Sequence, residues 1–192
     1  EVDAVHIHAM WDLSNPQVAK VCKQTQTPWV LSVHGMLDDW SMSQRKLKKV
    51  LYLLTVGKIL VRDTTVFHTT ALEEKRQASK WLKHTNIDVI PCIVDLEPYE
   101  QVPDPSLAFT NYGKVDEATV LFLSRVHEKK SIETLIDATV ILKEKGSPIR
   151  LFVAGTGEQL YIETLKQRAQ SAGVSESVTF LVMVVGDLKL SL

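Results

Sequence analysis

Two apolar runs in this chain end in residues that carry chemistry. Thr119-Val120-Leu121-Phe122-Leu123 leads directly into Ser124-Arg125-Val126-His127-Glu128-Lys129-Lys130-Ser131. Further along, a second run leads into Val153-Ala154-Gly155-Thr156-Gly157-Glu158. Short, continuous apolar runs alternating with helical stretches read as buried parallel strands, and open α/β sheets bind their ligands at the carboxyl ends of such strands. Arg125 and Lys130 would place two cations at that edge. The Gly-x-Gly turn leaves bare backbone that can approach a phosphate closely. The combination points to a diphosphate site, of the kind a nucleotide-sugar would fill.

The rest of the chain alternates as βαβ units do. Val2 to Ala9 reads as a strand, and Ser14-Asn15-Pro16 starts a helix that runs to about Lys23. Pro28 to Val33 is the next strand, ending in His34-Gly35. A single long helix is expected from Ser43 to Leu60, with Leu47, Val50, Leu51 and Leu54 on its core face. A strand at 65–68, a helix at 71–82 and a strand at 87–90 follow. Pro91, Pro98, Pro103 and Pro105 then mark a polar stretch read as a linker. Beyond it come a strand at 119–123, a helix at 132–145, a strand at 149–154, a helix at 158–172 and a strand at 178–182. The expectation is an α/β protein of two Rossmann-like lobes, both incomplete. The first spans 1–95, a Pro-rich linker 96–117, and the second 118–192, with the ligand between the lobes. The chain opens in a strand without an initiator methionine and stops in a helix start, so a segment lacking both ends is expected.

Composition narrows the function classes. Lys and Arg number 22 against 23 Asp and Glu, so the strong basic excess of a nucleic-acid binder is missing. Cys22 and Cys92 are too few for a disulfide framework or a cysteine zinc site, and the default setting is a reducing cytoplasm. No run approaches the roughly 18 apolar residues that would span a bilayer. His6 and His8 share one side of a strand, but no third metal ligand is evident. A Rossmann dinucleotide site is disfavoured because Leu160 stands where the third glycine would be.

In order and spacing these pieces resemble the retaining glycosyltransferases of the GT-B fold, specifically the large family 4 (group 1). In the first lobe the resemblance rests on His34-Gly35, on His68-Thr69-Thr70 with Glu73, and on Ile90-Pro91-Cys92-Ile93-Val94-Asp95. In the second it rests on Leu121 to Lys130, on Ala154-Gly155-Thr156-Gly157-Glu158 and on Val178-Thr179-Phe180. The resemblance implies transfer of a sugar from a UDP- or GDP-sugar to a hydroxyl acceptor. The expected setting is cell-surface glycan or glycolipid synthesis, with the donor as substrate and neither cofactor nor metal needed. It implies His34 at the reaction centre, contacting the transferred sugar. Arg125, Lys130, Gly155, Gly157 and Glu158 form the expected donor diphosphate site, with Gly35 and His8 on the acceptor side. Lys129 belongs to the same charge run, and His68 and His127 are assigned no chemistry.

Other readings remain open at this stage. Arg125 and Lys130 could be solvated loop charges, the glycines a tight turn, and Glu158 a helix cap. The basic, apolar stretch Arg45 to Leu54 either packs on its own sheet or touches anionic lipid, which would make the protein peripheral to the inner face of the plasma membrane. The chain also departs from the family. Ser124, Ile93, Ser131 and Val182 stand where glycine is typical, and Cys92 where asparagine is. The family's pair of Glu residues with seven residues between them, the second of which holds the donor ribose, is missing from this sequence. These 192 residues alone are therefore expected to bind donor weakly without turnover. A nucleotide-sugar 2-epimerase and a non-catalytic binding remnant are the alternatives.

Overall fold

The computed structural model describes residues 2–82, 86–113 and 118–192. Residue 1 and the end of the expected linker, 114–117, lie outside the described residues. The chain divides into two compact units, Glu1–Val94 and Asp95–Leu192.

The first unit is a parallel sheet of β1 (Val5–His8), β2 (Trp29–Ser32), β3 (Val66–Thr69) and β4 (Ile87–Val89), in the order β1-β2-β3-β4. Between the strands run α1 (Asn15–Thr25), α2 (Asp39–Ser43), α3 (Lys46–Leu54), α4 (Lys58–Arg62) and α5 (Leu72–Ala78). Strands added in sequence order through right-handed crossovers put every connecting helix on the same face of the sheet. That face is the core. Ile7, Leu31, Phe67 and Ile87 lie in register across the four strands and pack with Ala19 and Cys22 of α1, Leu53 of α3, Leu60 of α4 and Ala78 of α5. The opposite face carries a different row. His8, Ser32, His68 and Asp88 lie in mutual register, with His6, Val30 and Val66 beside them.

The long helix expected at 43–60 is broken into α2, α3 and α4. Arg45 turns the chain with φ 50°, and α3 stops at Thr55. Gly57 then packs under the Tyr52 ring, so tightly that a Cβ there would lie 2.3 Å from the ring. The break rotates the expected core face outward: Leu47, Leu51 and Leu54 are 83, 59 and 67 % exposed, and Leu53 is buried instead.

The second unit holds β5 (Ala118–Leu123), β6 (Ile149–Ala154) and β7 (Val178–Leu181), parallel in the order β5-β6-β7. One face packs on α8 (Ile132–Glu144) and α9 (Gln159–Ser171) through Ile132, Ile136, Leu151, Val153, Leu165 and Ala169. The other buries Phe152, Ala154, Leu181 and Val184 against Tyr112, Leu188 and Leu192. Tyr112 comes from α7 (Ser106–Tyr112) and Leu188 from α10 (Gly186–Ser191). The segment read as a linker thus carries two helices, α6 (Glu97–Glu100) and α7, and groups with the second unit. Proline explains why a linker and a helix start look alike: Pro98 sits in the first turn of α6 and Pro105 at the N-cap of α7, where no backbone N–H is needed.

Candidate functional site

Each sheet gathers its sequence-predicted residues at its carboxyl edge, and the two edges are built differently.

In the second unit, Arg125 and Lys130 stand on the β5–α8 turn and Gly155, Gly157 and Glu158 on the β6–α9 turn. The two turns are zipped together. Ser124 N donates to Ala154 O at 3.1 Å and Val126 N to Thr156 O at 2.9 Å, and Val126 and Gly157 form a parallel bridge. The glycines are required by this contact. A Cβ on Gly155, at φ 150°, would lie 1.9 Å from Ser124 O, and one on Gly157 would lie 2.0 Å from Val126 O. Loop-to-loop approach thus explains the Gly-x-Gly by itself. Beyond the zipper, the His127 ring accepts a hydrogen bond from Lys129 N at 3.1 Å, capping the short 3-10 turn Glu128–Lys130. Ser131, where glycine is typical, takes φ 51°, a left-handed conformation that costs a β-carbon residue about 1 kcal/mol. Arg125, Lys130 and Glu158 are exposed, and none of their side chains has a hydrogen-bond or ion-pair partner among the described residues. Glu158 stands at the N-cap of α9 without a side-chain capping bond. The edge therefore offers a guanidinium and an ammonium, with their donors free, beside a backbone turn that is already rigid.

In the first unit the edge is a cluster of imidazoles. His34 and Gly35 follow β2 in consecutive left-handed conformations, φ 48° and 68°. The turn is pinned from below by Glu74 of α5, whose carboxylate accepts from Gly35 N and, at 2.6 and 2.9 Å, from Thr70 N and Oγ1. Ser41 Oγ donates to Gly35 O at 3.0 Å. So fixed, the His34 ring stacks on His8 with 9° between planes, and His34 Nε2 and His8 Nδ1 share a hydrogen bond of 2.9 Å. His8 in turn lies against His6, ring centres 4.1 Å apart. His6 Nε2 bonds Ser32 Oγ at 2.7 Å, Ser32 Oγ bonds His68 Nδ1 at 2.6 Å, and His68 Nε2 donates to Ile90 O at 2.8 Å. Burial and the neighbouring imidazoles hold the His6 pKa below its ordinary value.

The structure thus brings His8, His34 and Gly35 together, and separately Arg125, Lys130, Gly155, Gly157 and Glu158. It adds His6, Ser32 and His68 to the first group. Local sequence patterns do not reveal this link because it depends on strand register: Ser32 meets rings 26 residues before it and 36 after it. Among the described residues no group of His, Cys, Asp and Glu is arranged to hold a metal ion.

Residues 108–189 match the family model "Glycosyl transferases group 1". A GDP-mannose-dependent alpha-(1-6)-phosphatidylinositol monomannoside mannosyltransferase of Mycobacterium tuberculosis is 28 % identical over 159 residues, covering 81 % of this chain and 39 % of that protein. The alpha-monoglucosyldiacylglycerol synthase of Acholeplasma laidlawii is 27 % identical over 178 residues, covering 82 % of this chain and 42 % of that protein. The chain therefore spans about two fifths of the length of these relatives. Among solved structures, Anabaena HepE in complex with UDP and glucose superposes with a TM-score of 0.73 at 19 % identity, over 95 % of this chain and 48 % of that one. Sucrose-phosphate synthase from Thermosynechococcus elongatus gives 0.71 at 17 % identity, over 98 % of this chain and 47 % of that one. At these identities the superpositions speak to fold: two parallel α/β units of the GT-B kind.

Proposed function

We propose that this chain is part of a group 1 glycosyltransferase, and that its parent protein transfers a sugar from a UDP- or GDP-sugar to a hydroxyl of a glycan or glycolipid, with retention of anomeric configuration. The observation that carries this reading is the zipped pair of turns in the second unit, with Arg125 and Lys130 unpartnered beside Gly155 and Gly157. In this reading the donor diphosphate sits over the turns. Arg125 supplies a planar fork to its oxygens and Lys130 a flexible point charge. As the glycosidic bond breaks, negative charge grows on the departing diphosphate, and cations already in place stabilise it without reorganising. Glu158 accepts a hydroxyl of the donor. His34, oriented by His8, contacts the transferred sugar, and Gly35 and His8 border the acceptor. The nucleotide-sugar is substrate, and the positive charge comes from the protein's own side chains.

A glycolipid acceptor fits the activities for which the mycobacterial and Acholeplasma relatives are named, both of which act on or make lipid-linked sugars. A surface of the first unit favours a lipid setting as well. Leu47, Leu51 and Leu54 form an exposed stripe on α3, flanked by the exposed cations Lys46, Lys48 and Lys58. An apolar stripe with a basic rim suits the boundary of an anionic bilayer. No helix among the described residues is long and apolar enough to cross a membrane.

The test uses the intact parent protein with UDP- and GDP-sugars, with and without lipid-linked acceptors. Transfer with retention is expected, together with a drop of about 10²–10³-fold in turnover for Arg125→Ala and an unchanged unfolding midpoint. Near-normal turnover in that variant would overturn the site assignment. Conversion of donor to its 2-epimer without acceptor would replace a transferase by an epimerase, and donor binding without turnover would leave a binding module.

A further inference from the structure

The uncovered face of the first sheet carries an unusual set of residues. Parallel sheets are ordinarily apolar on both faces, and the second unit's sheet is. The first sheet instead presents His6, His8, Ser32 and His68 at its carboxyl end, joined to His34 by contacts that leave little freedom in where the protons sit.

The proton positions follow from elementary hydrogen-bond chemistry. Ile90 O can only accept, so His68 Nε2 carries a proton. In neutral His68, Nδ1 then has a lone pair and receives the Ser32 hydroxyl. The Ser32 oxygen, its proton committed, accepts from His6 Nε2, which must carry a proton as well. The chain has a direction: His6 Nε2–H to Ser32 O–H to His68 Nδ1. It reverses only if His68 gains a second proton. Ser32 would then turn to donate to His6, whose own proton would have to move to Nδ1.

The His8–His34 bond is equally restrictive. One proton lies between His8 Nδ1 and His34 Nε2. If His8 donates it, His34 keeps its proton on Nδ1; if His34 donates it, His8 keeps its proton on Nε2. Both rings are therefore the same tautomer, both Nδ1–H or both Nε2–H. A mixed pair would set two N–H groups or two lone pairs head to head. Adding a proton to each ring would set two N–H groups head to head and break the bond.

We infer that His8 and His34 act as one proton-sharing couple and that Ser32 is a positioning residue, fixing His6 and His68 so that His6 supports the His8 ring in the orientation His34 requires. The mechanistic consequence rests on the reading of His34 as the residue at the transferred sugar. The proton assignment does not. Other charged groups around the array are Asp88 of β4, in register with His68, and Glu74 of α5, engaged by Gly35 and Thr70. Asp12, ahead of α1, is engaged by Ser14.

Two experiments separate the parts. Long-range proton–nitrogen NMR of the imidazole rings in the ¹⁵N-labelled chain reports each tautomer. At pH 8 we expect His6 and His68 as Nε2–H, and His8 and His34 in matching tautomers. In Ser32→Ala, the ring-nitrogen signals of His6 and His68 shift, and the matched tautomers of His8 and His34 give way to a mixture. Mixed tautomers in the natural protein, or His8 and His34 signals unchanged by Ser32→Ala, would overturn the proposal. In the intact parent, Ser32→Ala should lower kcat several-fold and displace the pH profile while leaving the donor KM unchanged. If the tautomers change as expected but the pH profile stays put, the network stands and the placement of His34 at the reaction centre fails.

Discussion

Replacing Gly155 by alanine should damage the second unit far more than the same change at a glycine with open space around it. The added Cβ would start 1.9 Å from Ser124 O, a backbone atom that no side-chain rotation can move. Ordinary carbon–oxygen contact is roughly 3.3 Å, so the two turns must part by about 1.4 Å. That opens the Ser124 N to Ala154 O bond, now 3.1 Å, beyond hydrogen-bonding range, and strains the Val126 N to Thr156 O bond, now 2.9 Å. Each bond contributes about 1 kcal/mol net, and a φ of 150° adds strain of about 1–3 kcal/mol for alanine. The expected loss is about 4 kcal/mol. Gly173 is the control: it has φ 70° and nothing within 4 Å of where a Cβ would stand, so only left-handed strain of about 1 kcal/mol applies. Urea unfolding followed by far-UV circular dichroism measures both. Trp11, Trp29, Trp40 and Trp81 all lie in the first unit, so their emission provides an internal reference. A Gly155→Ala loss no larger than that of Gly173→Ala would refute the loop-contact explanation of the glycines.

Other outcomes follow from the same structure. Leu31→Ala, at a fully buried position of the first sheet, should cost about 2–5 kcal/mol and lower the tryptophan-monitored unfolding midpoint. Arg168→Ala removes a two-pronged contact to Asp137, but with both side chains 47 % exposed the loss should stay below about 1 kcal/mol by circular dichroism. The His6 pKa is lowered in the folded protein, so its contribution is complete above its ordinary value of 6.5 and declines as pH falls below that. The tryptophan-monitored midpoint between pH 8 and 5.5 should accordingly fall more in the natural protein than in His6→Gln. Leu51→Gln should weaken co-sedimentation with phosphatidylglycerol vesicles several-fold, with no binding to phosphatidylcholine vesicles in either protein; equal sedimentation would sink the lipid-contact reading.

What the sequence made legible was local. Apolar runs bounded by turn residues marked the strands that became β2, β5 and β6 closely, because a buried parallel strand needs little beyond its own composition. The charges and glycines at 125–130 and 155–158 were visible because they directly follow such runs. What stayed hidden depends on partners distant in the chain. Leu47, Leu51 and Leu54 have the spacing of a core face, and only the packing of the Tyr52 ring over Gly57 turns them outward. Gly155 and Gly157 read as room for a phosphate, whereas the backbone of the neighbouring turn already occupies that side. His68 looked inert until strand register placed it beside Ser32. Ser131 shows the converse: a serine stands where the resembled family typically has glycine, and its φ of 51° is the left-handed conformation that glycine adopts more easily.

The proposal that the zipped turns of the second unit hold a nucleotide-sugar diphosphate through Arg125 and Lys130 is open to direct test. Saturation-transfer NMR of this chain with UDP-glucose and with GDP-mannose, at low ionic strength, reads donor binding without requiring turnover. Weak but saturable binding of at least one donor is expected. It should fall about tenfold or more in Arg125→Ala, where a charge-assisted phosphate contact is lost, and by less in His34→Ala, where only a contact to the sugar is lost. Saturable binding that Arg125→Ala leaves unchanged would contradict the assignment, as would the absence of binding to either donor.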